Sequence, residues 1–240
     1  MPPIGCCRER KGPALLYVYA LLREPLRETA LGAGATDEPL RALDCGGLIA
    51  VVGDVVAIPP ADGDTLRRHD AVVRRLHGAV DALLPVRFGT ALADEQTLAE
   101  EIEPRGDELR TALELVAGCY QLTLRVFGVP APLDAPVVDV APSAGVGTRY
   151  LTARLRAETQ ARTVPEIAPL REGLGRLVRA ERAERHDTPP LLASVYHLVR
   201  AVDADAYDAA FDAALPRLTG IRLTRSGPWA PYAFAPERLP

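Results

Sequence analysis

The sequence almost lacks lysine: Lys11 is the only one, so its positive charge rests on arginine. That bias points to a GC-rich genome and carries no function. Basic excess is missing too. With 28 Lys+Arg against 32 Asp+Glu, the formal net charge is −4 and the pI about 5.7. A nucleic-acid binder needs a basic face that neutralises several phosphates, so no nucleic acid is expected as a partner. No run reaches the roughly twenty apolar residues of a membrane span, and the first residues lack the long apolar core of a secretory signal. No membrane insertion is expected, and the chain is placed in the cytoplasm. The cysteines form no C-x-x-C pair: Cys6 and Cys7 are adjacent, while Cys45 and Cys119 stand alone in apolar surroundings. Neither a zinc site nor a disulfide framework is indicated, and Cys45 and Cys119 read as buried free thiols.

What is present describes a globular protein. The chain has 240 residues, 48% hydrophobic and 25% charged, which is ample apolar surface but near the upper limit for one core. Two domains are expected, over 14–117 and 118–226, after a disordered N-terminus at 1–13. A proline-rich connection is expected at 129–146 and a tail at 227–240. Leu15 to Leu22 reads as a strand. Thr36 or Asp37 can cap a short helix through Leu43. Leu48 to Ile58 is strand-like, with Gly53-Asp54 as a bulge or turn inside it.

From Asp64, Leu66, His69, Val73, Leu76, Val80 and Leu83 recur at helical spacing, which predicts one helix running up to Leu84-Pro85. Helices follow from Asp94 to Glu103 and from Asp107 to Val116. Tyr120 to Phe127 alternates as a strand. A helix is expected from Thr148 to Ala161. A second starts at the capping box Thr163-Val164-Pro165-Glu166 and runs towards Arg185 with a kink at Pro169. Leu191 to Val199 is a strand, Asp203 caps a helix through Tyr207, Phe211 and Leu215, and Ile221 with Leu223 forms a last strand. Two α+β units of ferredoxin-like arrangement, their sheets covered by helices, bury every apolar face.

Two stretches stand apart. In Leu84-Pro85-Val86-Arg87-Phe88-Gly89-Thr90 a proline starts a short strand, Val86 and Phe88 face one side, and Gly89 permits a positive φ. Arg87 is the odd member, since a guanidinium between large apolar residues finds a carboxylate, lines a contact surface or sits on the wet face of an edge strand. The tail, Gly227-Pro228-Trp229-Ala230-Pro231-Tyr232-Ala233-Phe234, gathers the only tryptophan and two more aromatics between prolines, in a chain only 5% aromatic. It is stiff and apolar and must dock, either on its own domain or in a partner groove. Arg87, Phe88, Trp229, Tyr232 and Phe234 are the candidate protein-interaction residues.

Together with Tyr17-Val18-Tyr19-Ala20 and Gly147-Thr148-Arg149-Tyr150-Leu151, in the same order along the chain, these two stretches resemble the paired signature of the gas vesicle protein F/L family. The match spans Leu15 to Phe234 and departs at Ala230, where the motif carries a proline. The resemblance implies a two-domain α+β protein with ferredoxin-like modules. It implies a non-enzymatic accessory role in gas vesicle assembly, through contacts with the small shell-forming protein and other accessory proteins, in association with the vesicles. No cofactor, metal or small-molecule substrate is implied.

The enzymatic alternative rests on His69-Asp70, His186-Asp187 and His77. His69 lies on the apolar stripe of its helix and His77 lies off it, so one metal would not be held by both. His69 reads as a satisfied, partly buried histidine and His186-Asp187 as a solvated helix end. Ser143, Ser194 and Ser226 lack a Gly-x-Ser-x-Gly elbow, and Gly145-Val146-Gly147 is too short for a phosphate loop. A third class, a ligand-sensing regulatory module built from paired ferredoxin-like units, is left open by the fold alone.

Overall fold

Eight residues, β1 (Leu15–Leu22), run through the middle of the first sheet, and all but Leu15 are buried. A strand so apolar on both sides must be covered on both faces. In the computed structural model, which describes residues 14–26, 28–129 and 164–236, it is followed by α1 (Glu28–Leu31), β2 (Leu40–Asp44), β3 (Ile49–Val55) and α2 (Gly63–His77). Next come β4 (Leu83–Pro85), β5 (Ala91–Leu92), α3 (Glu95–Ile102) and α4 (Gly106–Val116). The strand order is β2-β3-β1-β4, with β5 pairing β1 beyond β4, and every pair is antiparallel.

The second sheet starts at β6 (Cys119–Gly128) and continues after α5 (Ala168–Leu174) with β7 (Val178–Arg185), β8 (Leu191–Arg200), α6 (Ala204–Ala214) and β9 (Ile221–Trp229). Its order is β7-β8-β6-β9, again antiparallel. Numbered within each unit, both sheets read 2-3-1-4, the split βαβ order of ferredoxin-like folds. The α+β, ferredoxin-like architecture is therefore present twice. By compactness the chain divides into Met1–Ala117 with Ala230–Pro240, and Gly118–Trp229, each taken over its described residues.

Register in the first sheet depends on Tyr19. The β1–β3 pairing shifts between Val18 and Ala20, which makes Tyr19 the extra residue of a bulge. Tyr17, Tyr19, Ala20 and Leu22 consequently all enter one buried cluster with Val51, Val73, Leu76 and Leu83, which unbroken alternation would forbid. The bulge expected at Gly53 is absent, because Gly53 pairs in register with Tyr17 and with Leu40.

Three helix expectations are corrected. Thr36 and Asp37 cap no helix. Asp37 has φ +64, and the amides of Ala35 and Thr36 are taken by the Tyr19 hydroxyl and the Glu38 carboxylate, so a turn leads into β2. Helix α2, capped by Asp62, ends at His77, where the Gly78 amide closes it onto Arg74 and Leu76, and Leu83 to Pro85 instead pair with β1. Val72 joins its buried face, while Leu66 is 44% exposed. Past Pro165, α5 stops at Leu174, and Val178–Arg185 is a strand on β8. Leu215 is also more exposed than its helical spacing suggests, with Ala214 taking the buried position.

Strands β1, β3, β6 and β8 and the helices at 95–102, 106–116 and 204–214 lie where the sequence pattern puts them, within a few residues, whereas β5 has no counterpart in that pattern and β9 runs on past Leu223 to Trp229, into the stretch expected as tail. Asp203 precedes α6 but its carboxylate takes the Arg200 guanidinium and no helix amide. Lys11, the proline-rich connection at 129–146 beyond Val129, the helix expected at 148–161 and the Gly147–Leu151 match lie outside the described residues.

Candidate functional site

The strand expected to start at Pro85 instead ends there: in the signature stretch Leu84 and Pro85 belong to β4, and Val86 to Thr90 form a loop clipped to β1 at both ends. The Val86 amide donates to the Tyr19 carbonyl at 2.9 Å, and the Val18 amide donates to the Thr90 carbonyl at 3.0 Å. Between these clips Arg87, Phe88 and Gly89 leave the sheet. Gly89 takes φ +87, in the left-handed region where a side chain would be strained.

Buried side chains hold the loop from behind. The Gly89 amide donates to the Tyr17 hydroxyl oxygen at 2.9 Å, and Tyr17 faces Nδ1 of His69 at 3.2 Å. His69 Nε2 lies 3.3 Å from the Val86 carbonyl, which can only accept. The proton therefore sits on Nε2, and Nδ1 accepts from Tyr17. Burial pushes the His69 pKa down, against the hydrogen bond to Val86, which keeps the ring neutral in this role. The Phe88 ring meets His69 edge-on at 5.5 Å and Tyr17 at 6.4 Å. His69 is 2% exposed with both nitrogens satisfied, so it is a structural histidine. Its neighbour Asp70 pairs with Arg74 at 2.9 Å.

A second layer supports Tyr19. Its hydroxyl donates to Glu38 and accepts the Ala35 amide at 2.7 Å, while Thr36 donates to the other Glu38 oxygen through both its amide and its hydroxyl. Burial raises the Tyr19 pKa strongly. Space for this side chain comes from two glycines: a Cβ on Gly34 would run into the carboxylate itself, and one on Gly53 would lie 2.6 Å from Glu38 Cγ. Gly53 is required for close approach and not for a turn.

Arg87 projects outward. Its side chain is exposed and has no ion pair among the described residues. Ile58, 50% exposed, borders Gly89, and Leu66 lies one turn before His69 on α2. The loop thus presents one cation beside apolar surface, on a backbone fixed by at least four hydrogen bonds.

The tail residues separate. Trp229 is the last residue of β9, half-buried, with its indole N–H on Ser226 Oγ at 3.3 Å. Ala230, Pro231 and Phe234 are buried in the first unit, where the 232–234 turn packs against β4. Tyr232 packs on the same cluster as Tyr17, and burial raises its pKa. Arg87, Phe88, Tyr232 and Phe234 therefore belong to one unit and Trp229 to the other.

In the second unit His197, fully buried, takes the Tyr207 hydroxyl at 2.7 Å and reaches Glu181 at 3.1 Å. Arg171 grips Glu181 at 2.7 and 3.0 Å and donates to the Val164 carbonyl. Burial would raise the Glu181 carboxyl, but hydrogen bonds from His197 and Arg171 outweigh it and hold it at about 2. Sequence reasoning passed over this cluster and over Glu38; a histidine at the centre of an apolar strand was the available signal for His197. His186 follows the end of strand β7, not of a helix, and its Nε2 lies 2.9 Å from Ser194 Oγ. No group of three metal-ligating side chains converges among the described residues.

Residues 15–236 match the family model described as gas vesicle synthesis protein GvpL/GvpF. The chain is 30% identical to gas vesicle protein L of a Streptomyces species, covering 92% of each chain. It is 27% identical to gas vesicle protein F2 of Halobacterium salinarum, covering 91% of each. Its fold matches the crystal structure of GvpF from an Anabaena species with a TM-score of 0.71 at 17% identity, over 94% of this chain and 98% of that one.

Proposed function

The chain belongs to the gas vesicle GvpL/GvpF family, and from that premise we propose that it is a non-enzymatic accessory protein of gas vesicle assembly. It works in the cytoplasm at the vesicle, by contacts with the small shell-forming protein and other accessory proteins. The observation that carries this reading is Arg87, an exposed guanidinium without an ion pair among the described residues, on a loop pinned by Tyr17, Tyr19 and His69. A rigid backbone lowers the ordering cost of docking, and an arginine flanked by apolar side chains is a common anchor. Phe88 and Ile58 supply the apolar flank. Tyr232 and Phe234 brace the loop's own unit, and Trp229 offers a second, half-buried aromatic.

The test is capture of the co-expressed small shell-forming protein by the purified full chain, compared with Arg87→Glu and Phe88→Ala. Loss of capture by variants that keep the parent melting temperature supports the site. A folded parent chain that captures neither the shell protein nor another accessory protein overturns the reading.

A further inference from the structure

Leu124 and Val126 of β6 and Leu223 of β9 turn to the buried side of the second sheet. Their alternates turn the other way. The β6–β9 register is unbroken here, with Arg125 opposite Thr224 and Phe127 opposite Arg222, so these four side chains share the second face. Arg125, Thr224 and Arg222 are exposed. Arg125 and Arg222 are diagonal neighbours, a separation of about 7 to 8 Å in an antiparallel pair that two long side chains span. Neither has an ion pair among the described residues, whereas Arg225, on the buried side of β9, meets Asp208 at 2.7 Å. Within the four strands the one carboxylate of the second face is Glu184. It stands opposite Ser194, which stands opposite Arg125, so two strand spacings or roughly 10 Å intervene, and no ion pair joins them. The Arg222 guanidinium lies 4.2 Å over the Phe127 ring, which orders it while leaving its N–H edge free to donate.

We propose that this face takes a short acidic segment of a partner protein, two of whose carboxylates dock on Arg125 and Arg222, with the Thr224 hydroxyl as a further donor beside them. A guanidinium presents a planar fork that matches a carboxylate, and two of them on one rigid sheet fix the spacing of the groups they hold. Charge selects the class of occupant. The chain carries a formal net charge of −4, so a long phosphate polymer would run beyond the two cations into a repelling surface, while a short segment stays beside them. The site lies in the unit Gly118–Trp229 and Arg87 lies in the other, so its failure leaves the reading of the signature loop untouched.

NMR titration of the isotope-labelled full chain with a hexaglutamate peptide at low salt tests it, read at the arginine Nε–H signals. Those of Arg125 and Arg222 are expected to move and saturate, while that of Arg225 stays. Arg125→Gln and Arg222→Gln are each expected to weaken binding about threefold, and the two together about tenfold, as exposed ion pairs are lost. Both positions are exposed, so the variants are expected to keep the parent melting temperature. Arg125 and Arg222 signals that do not move overturn the proposal, as do variants that bind the peptide like the parent. So does an equal response to hexaglutamine, to inorganic phosphate or to a single-stranded DNA oligomer.

Discussion

The Tyr17 hydroxyl reaches across 72 positions of sequence to accept the Gly89 amide at 2.9 Å, coupling the first strand to the signature loop. Tyr17→Phe removes that acceptor and the donor to His69 while keeping the ring. One backbone amide and one imidazole nitrogen are left without partners, so a loss of about 1 to 3 kcal/mol is expected in urea unfolding. Amide exchange at Gly89 should accelerate more than exchange elsewhere in the unit.

Gly53→Ala tests the pocket of Glu38. The new Cβ would lie 2.6 Å from Glu38 Cγ, in a side chain held by Tyr19 and Thr36. Overpacking of this kind costs about 1 to 3 kcal/mol. Glu38→Ala is also destabilising, because the Tyr19 hydroxyl loses its acceptor. The double variant should be less destabilised than the sum of the singles, as measured by a thermal double-mutant cycle. Strict additivity would show that the two residues do not compete for space.

The two ends of the aromatic tail should respond differently to truncation. Phe234 is 2% exposed, so Phe234→Ala is expected to cost about 3 to 5 kcal/mol. Trp229 is half-buried at a strand end, and Trp229→Ala should cost clearly less. Denaturant midpoints of the two variants compare them directly.

Glu181 gives the second unit an acid limit. Its folded pKa, about 2, lies below the ordinary glutamate value of 4.5, so its contribution is fully present above pH 4.5 and is lost as pH falls towards 2. Glu181→Gln should be less stable than the parent near pH 7. The gap in melting temperature should shrink steadily as pH falls below 4.5. A gap that stays constant with pH would exclude the carboxylate's charge as the source.

The aromatic tail and the signature loop were visible in composition and local pattern, but their surroundings were not. A buried strand such as β1 announces itself because apolar residues crowd both parities, and α2 because its spacing is helical. Nothing local marked Tyr19 as a bulge, since a bulge is a relation between two strands. Nothing local marked Glu38 as buried either, because its acceptor role is completed by Tyr19 nineteen positions away.

The charged run after α5 makes the same point from the other side. Val178-Arg179-Ala180-Glu181-Arg182-Ala183-Glu184-Arg185 is rich in helix formers, and intrinsic propensity favours continuing the helix. The ladder to β8 and the contact of Glu181 with Arg171 and His197 overrule that small preference. By itself the sequence determined the apolar elements, the two-unit α+β class, the stiffness of the tail and the resemblance to a family, since these depend on composition and short-range periodicity. Tertiary structure alone decided which polar groups are buried, where α2 and α5 stop and which face Arg87 presents, because hydrogen-bond partners and strand edges come from distant parts of the chain.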